Sequence, residues 1–247
     1  MDVRGIMPEF VDLHNHILFQ VDDGAKQRDE MERMIDLAYE DGTRYLCFTP
    51  HFHPGFFGDT HETIAKIFNL AQEYVSTKYS DLSLYLGNEL RYDDSCLKWL
   101  RDGICNTING SRYILVDFFL SEDSNRMCEA LRSVLSAGYL PILAHVERYD
   151  KLRFNIRRIK QLKSWGTMIQ IDAQSPIGGF GIGAKVSSKR LLDAGLVDII
   201  ASDAHDLLRR SPRLSPCFRW IAKRYSAKYA EELFYNTPLH VLEGSTY

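Results

Sequence analysis

What this 247-residue chain lacks narrows its function before any motif is read. Its cysteines are Cys47, Cys96, Cys105, Cys128 and Cys217, an odd number with no CxxC pair. That argues against a disulfide framework and a thiolate zinc site, and it favours a reducing, cytoplasmic setting. No apolar run is long enough to span a bilayer, and the opening MDVRGIMPEF lacks the apolar core of a secretory signal. Membrane insertion is therefore not expected. The formal net charge is -3, so no global excess of positive charge draws the chain to nucleic acid. Repeats, low-complexity tracts, Pro/Ser-rich linkers and a dinucleotide fingerprint are all missing, and a single domain over residues 1–247 is expected.

What is present is a globular composition, 45% hydrophobic and 26% charged, enough for a substantial core. Short β-rich apolar runs recur at EFVDL (9–13), RYLCFTP (44–50), LSLYLG (82–87), RYILVDF (112–118), YLPILAH (139–145), TMIQID (167–172) and VDIIAS (197–202). Helical patterns lie between them, as at 28–42, 60–79 and 124–138. In the first, Met31, Met34, Ile35 and Ala38 share one face and Gly42 ends the run. In the third, Ser124 is the expected N-cap and Gly138 the stop. Strands that are apolar throughout and alternate with helices imply a parallel sheet under helical cover. Seven such strands predict an α/β barrel related to the TIM fold rather than an open doubly wound sheet.

The chemistry-bearing residues fall at the C-terminal ends of these strands, where a barrel places its site. The first strand ends in Asp12, His14 and His16, the second in His51 and His53, the third in Glu89. Asp117 lies in the fourth, His145, Glu147 and Arg148 follow the fifth, and Asp203 and His205 follow the seventh. In an HxH pair, residues i and i+2 project to the same face, so His14 and His16 can share one cation. His14, His16, His51, His145 and His205 with Asp23, Glu89, Asp117 and Asp203 make nine candidate ligands. Nine exceed the four to six positions of one ion, which points to a bi- or trinuclear centre.

Each residue also has a plainer reading. A lone strand histidine is ordinarily a hydrogen-bonded core or surface group, and only the ordered set favours metal. His61 and His240 lie outside that set and keep the plain reading; His53 is expected to line the mouth, and Asp12 to support the ligands. GGFGIGAK (178–185) approaches a phosphate-binding loop, but Ala184 stands where the lysine belongs, and a flexible mouth loop is expected instead. Phe56 and Phe57 either pack on a substrate ring or anchor their loop. Thiol-based tyrosine phosphatases use Cys-x5-Arg; the residues six places after the cysteines are His53, Asp102, Ser111, Val134 and Lys223, which excludes that chemistry.

The segments DLHNHILFQVDDGAK, FTPHFHPG, GNEL, SRYILVDF, PILAHVERYD and IIASDAHD together resemble the PHP (polymerase and histidinol phosphatase) superfamily. Within it they are similar to the CpsB/YwqE-type bacterial tyrosine phosphatases of capsule and exopolysaccharide synthesis. The likeness runs from about residue 11 to residue 240. It implies a distorted TIM-like (β/α)7 barrel of PHP type holding three divalent metal ions, manganese first, with iron, zinc or magnesium as alternatives. By the same resemblance, His14, His16, Glu89 and Asp203 hold the first metal, and Glu89 bridges to the second. The second also takes His145 and Asp117, a position where similar proteins often carry Glu. The third takes Asp23, His51 and His205. Arg148 and Arg210 are the implied phosphate-binding residues, with Arg209 and Arg213 as rivals to the latter, and Asp203 and His205 join them in catalysis.

The implied reaction is hydrolysis of phosphotyrosine by a metal-activated hydroxide, with no covalent phosphoenzyme. The implied substrate is a phosphotyrosine protein, a bacterial tyrosine autokinase of polysaccharide synthesis. Two alternatives stand: another PHP phosphoesterase, such as a histidinol-phosphate or small-molecule phosphatase, or an amidohydrolase-like C–N hydrolase. The latter usually carries a bridging lysine on the fourth strand, where SRYILVDFF has none.

Overall fold

Apolar strands without a polar face need cover on both sides; helices supply the outer cover, and inward side chains such as Val11, Leu115, Ile142 and Ile199 pack on one another inside. The structure, a computed structural model, describes residues 9–57 and 61–244. The strands are β1 (Phe10–Asp12), β2 (Thr43–Phe48), β3 (His51–Phe52), β4 (Ser83–Leu86), β5 (Glu89–Arg91), β6 (Tyr113–Asp117), β7 (Leu140–Leu143), β8 (Met168–Asp172) and β9 (Ile199–Ala201). The first helices are α1 (Arg28–Glu40), α2 (His61–Lys78), α3 (Cys96–Arg101), α4 (Ser124–Ser136) and α5 (Ile156–Ser164). The rest are α6 (Gln174–Ile177), α7 (Gly181–Asp193), α8 (Ser215–Arg224), α9 (Ala227–Glu231) and α10 (Thr237–Leu242). Among the described residues no helix is long and apolar enough to cross a membrane.

All strand pairs are parallel, in two curled sheets ordered β1-β2-β4 and β3-β5-β6-β7-β8-β9. Among the described residues the seven expected strands are nine, because the second and third are each broken. Thr49–Pro50 separates β2 from β3, and Gly87–Asn88 separates β4 from β5. Pro50 has no N–H to give to a ladder. Its carbonyl instead accepts from Glu89 N at 3.1 Å and Asn88 Nδ2 at 3.0 Å, so the two breaks lie side by side and hold each other. The breaks turn His51 and Glu89 into a second short ladder, paired residue to residue.

The barrel closes between its first and last strands. Asn15 bridges Ala204, His16 N donates to Ala204 O at 2.8 Å, and Asp203 N donates to His14 O at 2.8 Å. Asp12, fully buried, completes this seam: Ser202 N reaches its Oδ1 at 3.0 Å and Ser202 Oγ its Oδ2 at 2.6 Å. Asn15, the middle residue of the HxH, ties the seam to β2 through Cys47 O and Thr49 Oγ1.

The helix signals hold with two corrections. Helix α1 buries Met31, Met34, Ile35 and Ala38, and Gly42 follows it with φ +111°. Helix α4 is capped by Asp123 rather than Ser124, because the Asp123 carboxylate accepts from Asn125 N and Arg126 N while Ser124 is already helical. The 178–185 segment is not a flexible loop. Gly178, at φ +103°, ends the short α6, and α7 begins at Gly181.

Removing the Asp12 carboxylate leaves the buried Ser202 N without its acceptor and Ser202 Oγ with only the longer contact to His14 O. Asp12→Ala is expected to cost about 2–4 kcal/mol of stability, read as a lower urea midpoint. A change below about 0.5 kcal/mol would rule out the seam as a structural anchor.

Candidate metal centre

The nine candidate ligands converge at the mouth of the barrel, whereas Asp12 lies at the seam beneath them, Glu147 is buried against Asp172 N and Ser175 Oγ, and His53 stays outside the cluster. Three groups of ligand atoms converge, each within 4.8 Å: His16, Asp23, His51 and His205; His14, His16 and Glu89; His51, Glu89 and Asp117. Asp203 Oδ1 lies 3.4 Å from both His14 Nε2 and His16 Nε2, and His145 Nε2 lies 2.9 Å from Glu89 Oε1 and 3.5 Å from Asp117 Oδ1. Glu89 thus stands between the first and second expected ligand sets, as a bridging carboxylate must. His145 and Asp203 reach it with left-handed backbones, φ 32° and 49°, conformations that side chains other than Gly adopt rarely.

Neighbouring groups fix which imidazole nitrogen faces the centre. Gln170 Oε1 accepts the backbone N–H of His145 at 2.8 Å, so it is an acceptor toward His14 Nδ1 at 3.2 Å as well. His16 Nδ1 donates to Asp22 Oδ2 at 2.7 Å, and His205 Nδ1 faces the Asp203 carbonyl at 3.0 Å. Each of these three rings then turns a bare Nε2 inward. The Nε2 atoms of His14 and His16 stand 3.3 Å apart with carboxylate oxygens 3.3–3.4 Å away. Lone pairs facing lone pairs and carboxylates repel unless a cation sits among them. The residues fit divalent metal.

The electrostatics say the same. Burial by itself would depress His14, His16 and His51, yet the carboxylates outweigh it. Glu89 and Asp203 raise His14, Asp22 raises His16 strongly, and Glu89 lifts His51 to about 9. In the opposite direction, the histidines overcome burial and hold Glu89, Asp203 and Asp23 below the usual carboxylate range. The pocket therefore demands positive charge, and in its metal-free form protons supply it. His205 is the exception, lowered to about 4 by burial and by the charge on His16.

Arginines edge the cluster. Arg148 Nη1 and Arg210 Nη2 both reach Asp203 Oδ2, the first at 2.9 Å, and Arg148 also contacts Asp172 Oδ2 at 3.2 Å. Phe180 covers both guanidiniums at 4.9 and 5.7 Å. Of the three arginines in the RRSPRL tract, Arg210 is the one brought to the site; Arg209 is exposed, and Arg213 lines a separate surface cleft with Arg33 and Asp36. A cavity of 260 Å³ opens over Asp23, His51, Glu89, Asp117, His145, Asp203 and His205, walled by Arg91, Arg148 and Arg210.

His61 and His240 are exposed on helices away from the cluster, and Phe57 stacks on His51 at 4.9 Å. Sequence reasoning missed Asp22, Gln170, Tyr149 and Arg91. Asp22 neighbours the chosen Asp23, and a period-of-two reading of TMIQID places Gln170 and Asp172 on one face, so those two were open to inference. Tyr149 reaches Asp117 Oδ1 at 3.1 Å and Arg91 reaches its Oδ2 at 2.5 Å, across contacts no local pattern marks.

A family model described as "Capsular polysaccharide synthesis, CpsB/CapC" matches residues 10–243. The tyrosine-protein phosphatase CpsB of Streptococcus pneumoniae is 35% identical over 94% of this chain and 98% of its own. A solved structure of the metal-dependent tyrosine phosphatases YwqE of Bacillus subtilis and CpsB superposes with a TM-score of 0.88 at 26% identity, covering 96% of this chain and 95% of that one. The histidinol phosphate phosphatase of Lactococcus lactis shares the fold alone, with a TM-score of 0.59 at 13% identity over 94% of this chain and 98% of its own.

The proton demand has a measurable sign. His51 rises from 6.5 to about 9 on folding, so its contribution to the metal-free protein is complete below pH 6.5 and is lost as the pH climbs through about 9. In chelator, Tm is expected to fall between pH 6.5 and 9, and saturating Mn2+ is expected to remove that slope. A Tm that stays level in chelator across this window would show that the histidines are not holding protons.

Proposed function

The chain belongs to the capsular polysaccharide synthesis CpsB/CapC family, and on that footing we propose that it is a metal-dependent phosphatase that hydrolyses phosphotyrosine in proteins. The observation that carries the reading is the set of inward-facing Nε2 atoms and carboxylates directly beside two arginines. In this proposal His14, His16, Glu89 and Asp203 hold one divalent ion, Glu89, His145 and Asp117 a second, and Asp23, His51 and His205 a third, with manganese the first choice. His51 also lies close enough to Glu89 and Asp117 to join the second set. When bound, such ions supply Lewis acidity, making water nucleophilic near neutral pH and offsetting phosphoryl charge.

The chain's own groups do the rest. Arg148 and Arg210 rest on Asp203 Oδ2; once that carboxylate serves as a ligand, the two guanidiniums are available to the non-bridging phosphoryl oxygens. Asp172 retains one side of Arg148, and Phe180 limits its swing, so the arginine is preorganised rather than free. Gln170 joins the two halves of the site: its Oε1 orients His14 and the His145 backbone, while its Nε2 donates to Asp172 Oδ1 at 3.1 Å. No thiol takes part. Burial pushes the cysteines upward, Cys47, Cys105 and Cys217 furthest, which keeps them as thiols. The proposed substrate is a bacterial tyrosine autokinase acting in polysaccharide export, met in the cytoplasm.

A phosphotyrosyl peptide, histidinol phosphate and a dihydropyrimidine, assayed in parallel with Mn2+ and with chelator, test this reading. The peptide is expected to turn over with metal only. Hydrolysis of none of the phosphates, or full activity in chelator, overturns it, and preference for either of the other substrates selects the corresponding alternative. His14→Ala is expected to lose both bound metal, measured by elemental analysis, and turnover. Arg148→Ala is expected to keep its metal while KM rises on the order of 10- to 100-fold. Metal-dependent turnover surviving in His14→Ala would refute the ligand assignment.

A further inference from the structure

One wall of the cavity has no part in holding metal or phosphate. Phe119, just beyond β6, lines the same cavity as the ligands and the arginines, and it is 51% exposed. The ring lies outside the buried core and faces the cavity. Its neighbours hold it in place instead. The Arg91 guanidinium lies 4.6 Å from the ring centroid, and His53 meets it edge-on at 6.1 Å. Arg91 is itself anchored by Asp117 Oδ2, so the ring is tied through one cation to a residue of the ligand cluster. His53 in turn stacks on Phe56 at 4.4 Å and 10°, and Phe56 is 74% exposed. An aromatic strip therefore begins inside the cavity at Phe119 and runs outward. The arginines beside Asp203 carry a separate cover, Phe180, so Phe119 is not needed to orient them.

We propose that Phe119, fixed over Arg91, is a specificity-determining residue that reads the leaving group and selects aryl over alkyl phosphate esters. This rests on the phosphatase reading above and adds to it the side chain that recognises the ring. Aromatic rings pair favourably in offset or edge-to-face contact beyond the area they bury. A phosphate held at the arginines brings the first ring of an aryl ester into the cavity that Phe119 lines. The flexible chain of an alkyl ester offers no such face. Phe57, stacked flat on His51, is occupied in supporting that histidine and is not the reader.

The test uses the Mn2+-loaded full chain with phenyl phosphate, a phosphotyrosyl peptide and glycerol 3-phosphate, and inorganic phosphate as inhibitor. Phe119→Leu keeps an apolar side chain without the ring, Phe119→Ala removes it, and Phe119→Tyr restores it. Leu and Ala are expected to lower the aryl-to-alkyl ratio of kcat/KM about tenfold, through KM rather than kcat. The Ki of inorganic phosphate is expected to move less than about twofold, and Tyr to recover the wild-type ratio. An unchanged ratio in both variants overturns the proposal. So does equal loss on aryl and alkyl esters with a raised phosphate Ki, which marks a structural role. Wild-type protein that leaves phenyl phosphate intact with Mn2+ overturns the phosphatase reading itself, whereas active wild type with indifferent variants overturns the aryl assignment alone.

Discussion

The seam between the first and last strands is the constraint on which the rest of the molecule depends. Two backbone hydrogen bonds, Asp203 N to His14 O and His16 N to Ala204 O, close the barrel and set the two richest ligand segments side by side. The Asp12–Ser202 contacts beneath them are buried and satisfied, so the register is held by groups that cannot exchange their partners for water. A slip of one residue would turn His14 and His16 together away from the site. Barrel closure is what brings His14 and His16 to Asp203 and His205.

The chemistry follows from what that closure forces together. Carboxylates and bare imidazole nitrogens, most of them buried, crowd the mouth, and the outer nitrogens are already committed to Gln170, Asp22 and the Asp203 carbonyl. The arrangement is costly without positive charge at its centre, and this cost makes it a cation site. Left-handed backbones at His145 and Asp203 add to the cost. They persist because hydrogen bonds over-determine them, from Asp203 N to His14 O across the seam and from His145 N to the Gln170 side chain. The arginines resting on Asp203 belong to the same economy of charge, since the carboxylate that holds them in the absence of metal is a candidate ligand in its presence.

Much of this was readable along the chain because strand ends are local features. Alternation of apolar runs with amphipathic helices implied the parallel α/β architecture, and the residue after each run pointed to the barrel mouth, where His14, His16, His51, Glu89, His145, Asp203 and His205 are found. Segments that depended on a neighbour were read less well. The second and third strands each read as one run, but Pro50 and Gly87–Asn88 split them, and those splits place His51 opposite Glu89. GGFGIGAK read as a loop because of its four glycines, yet Gly178 closes one helix and the next starts three residues later.

The sequence by itself determined the barrel class, the candidate ligand set and the absence of a thiol mechanism, since each rests on periodicity or spacing within a few residues. Only the tertiary structure decided which atoms of those ligands face inward, that Arg210 rather than Arg209 or Arg213 reaches Asp203, and that Arg91 and Phe119 wall the cavity. The physical reason is range. Side-chain direction along a strand is set by the residue's own backbone, whereas tautomer, ion pairing and ring contact are set by partners far along the chain, as Gln170 and Asp203 are from His14, brought near only when the strands close.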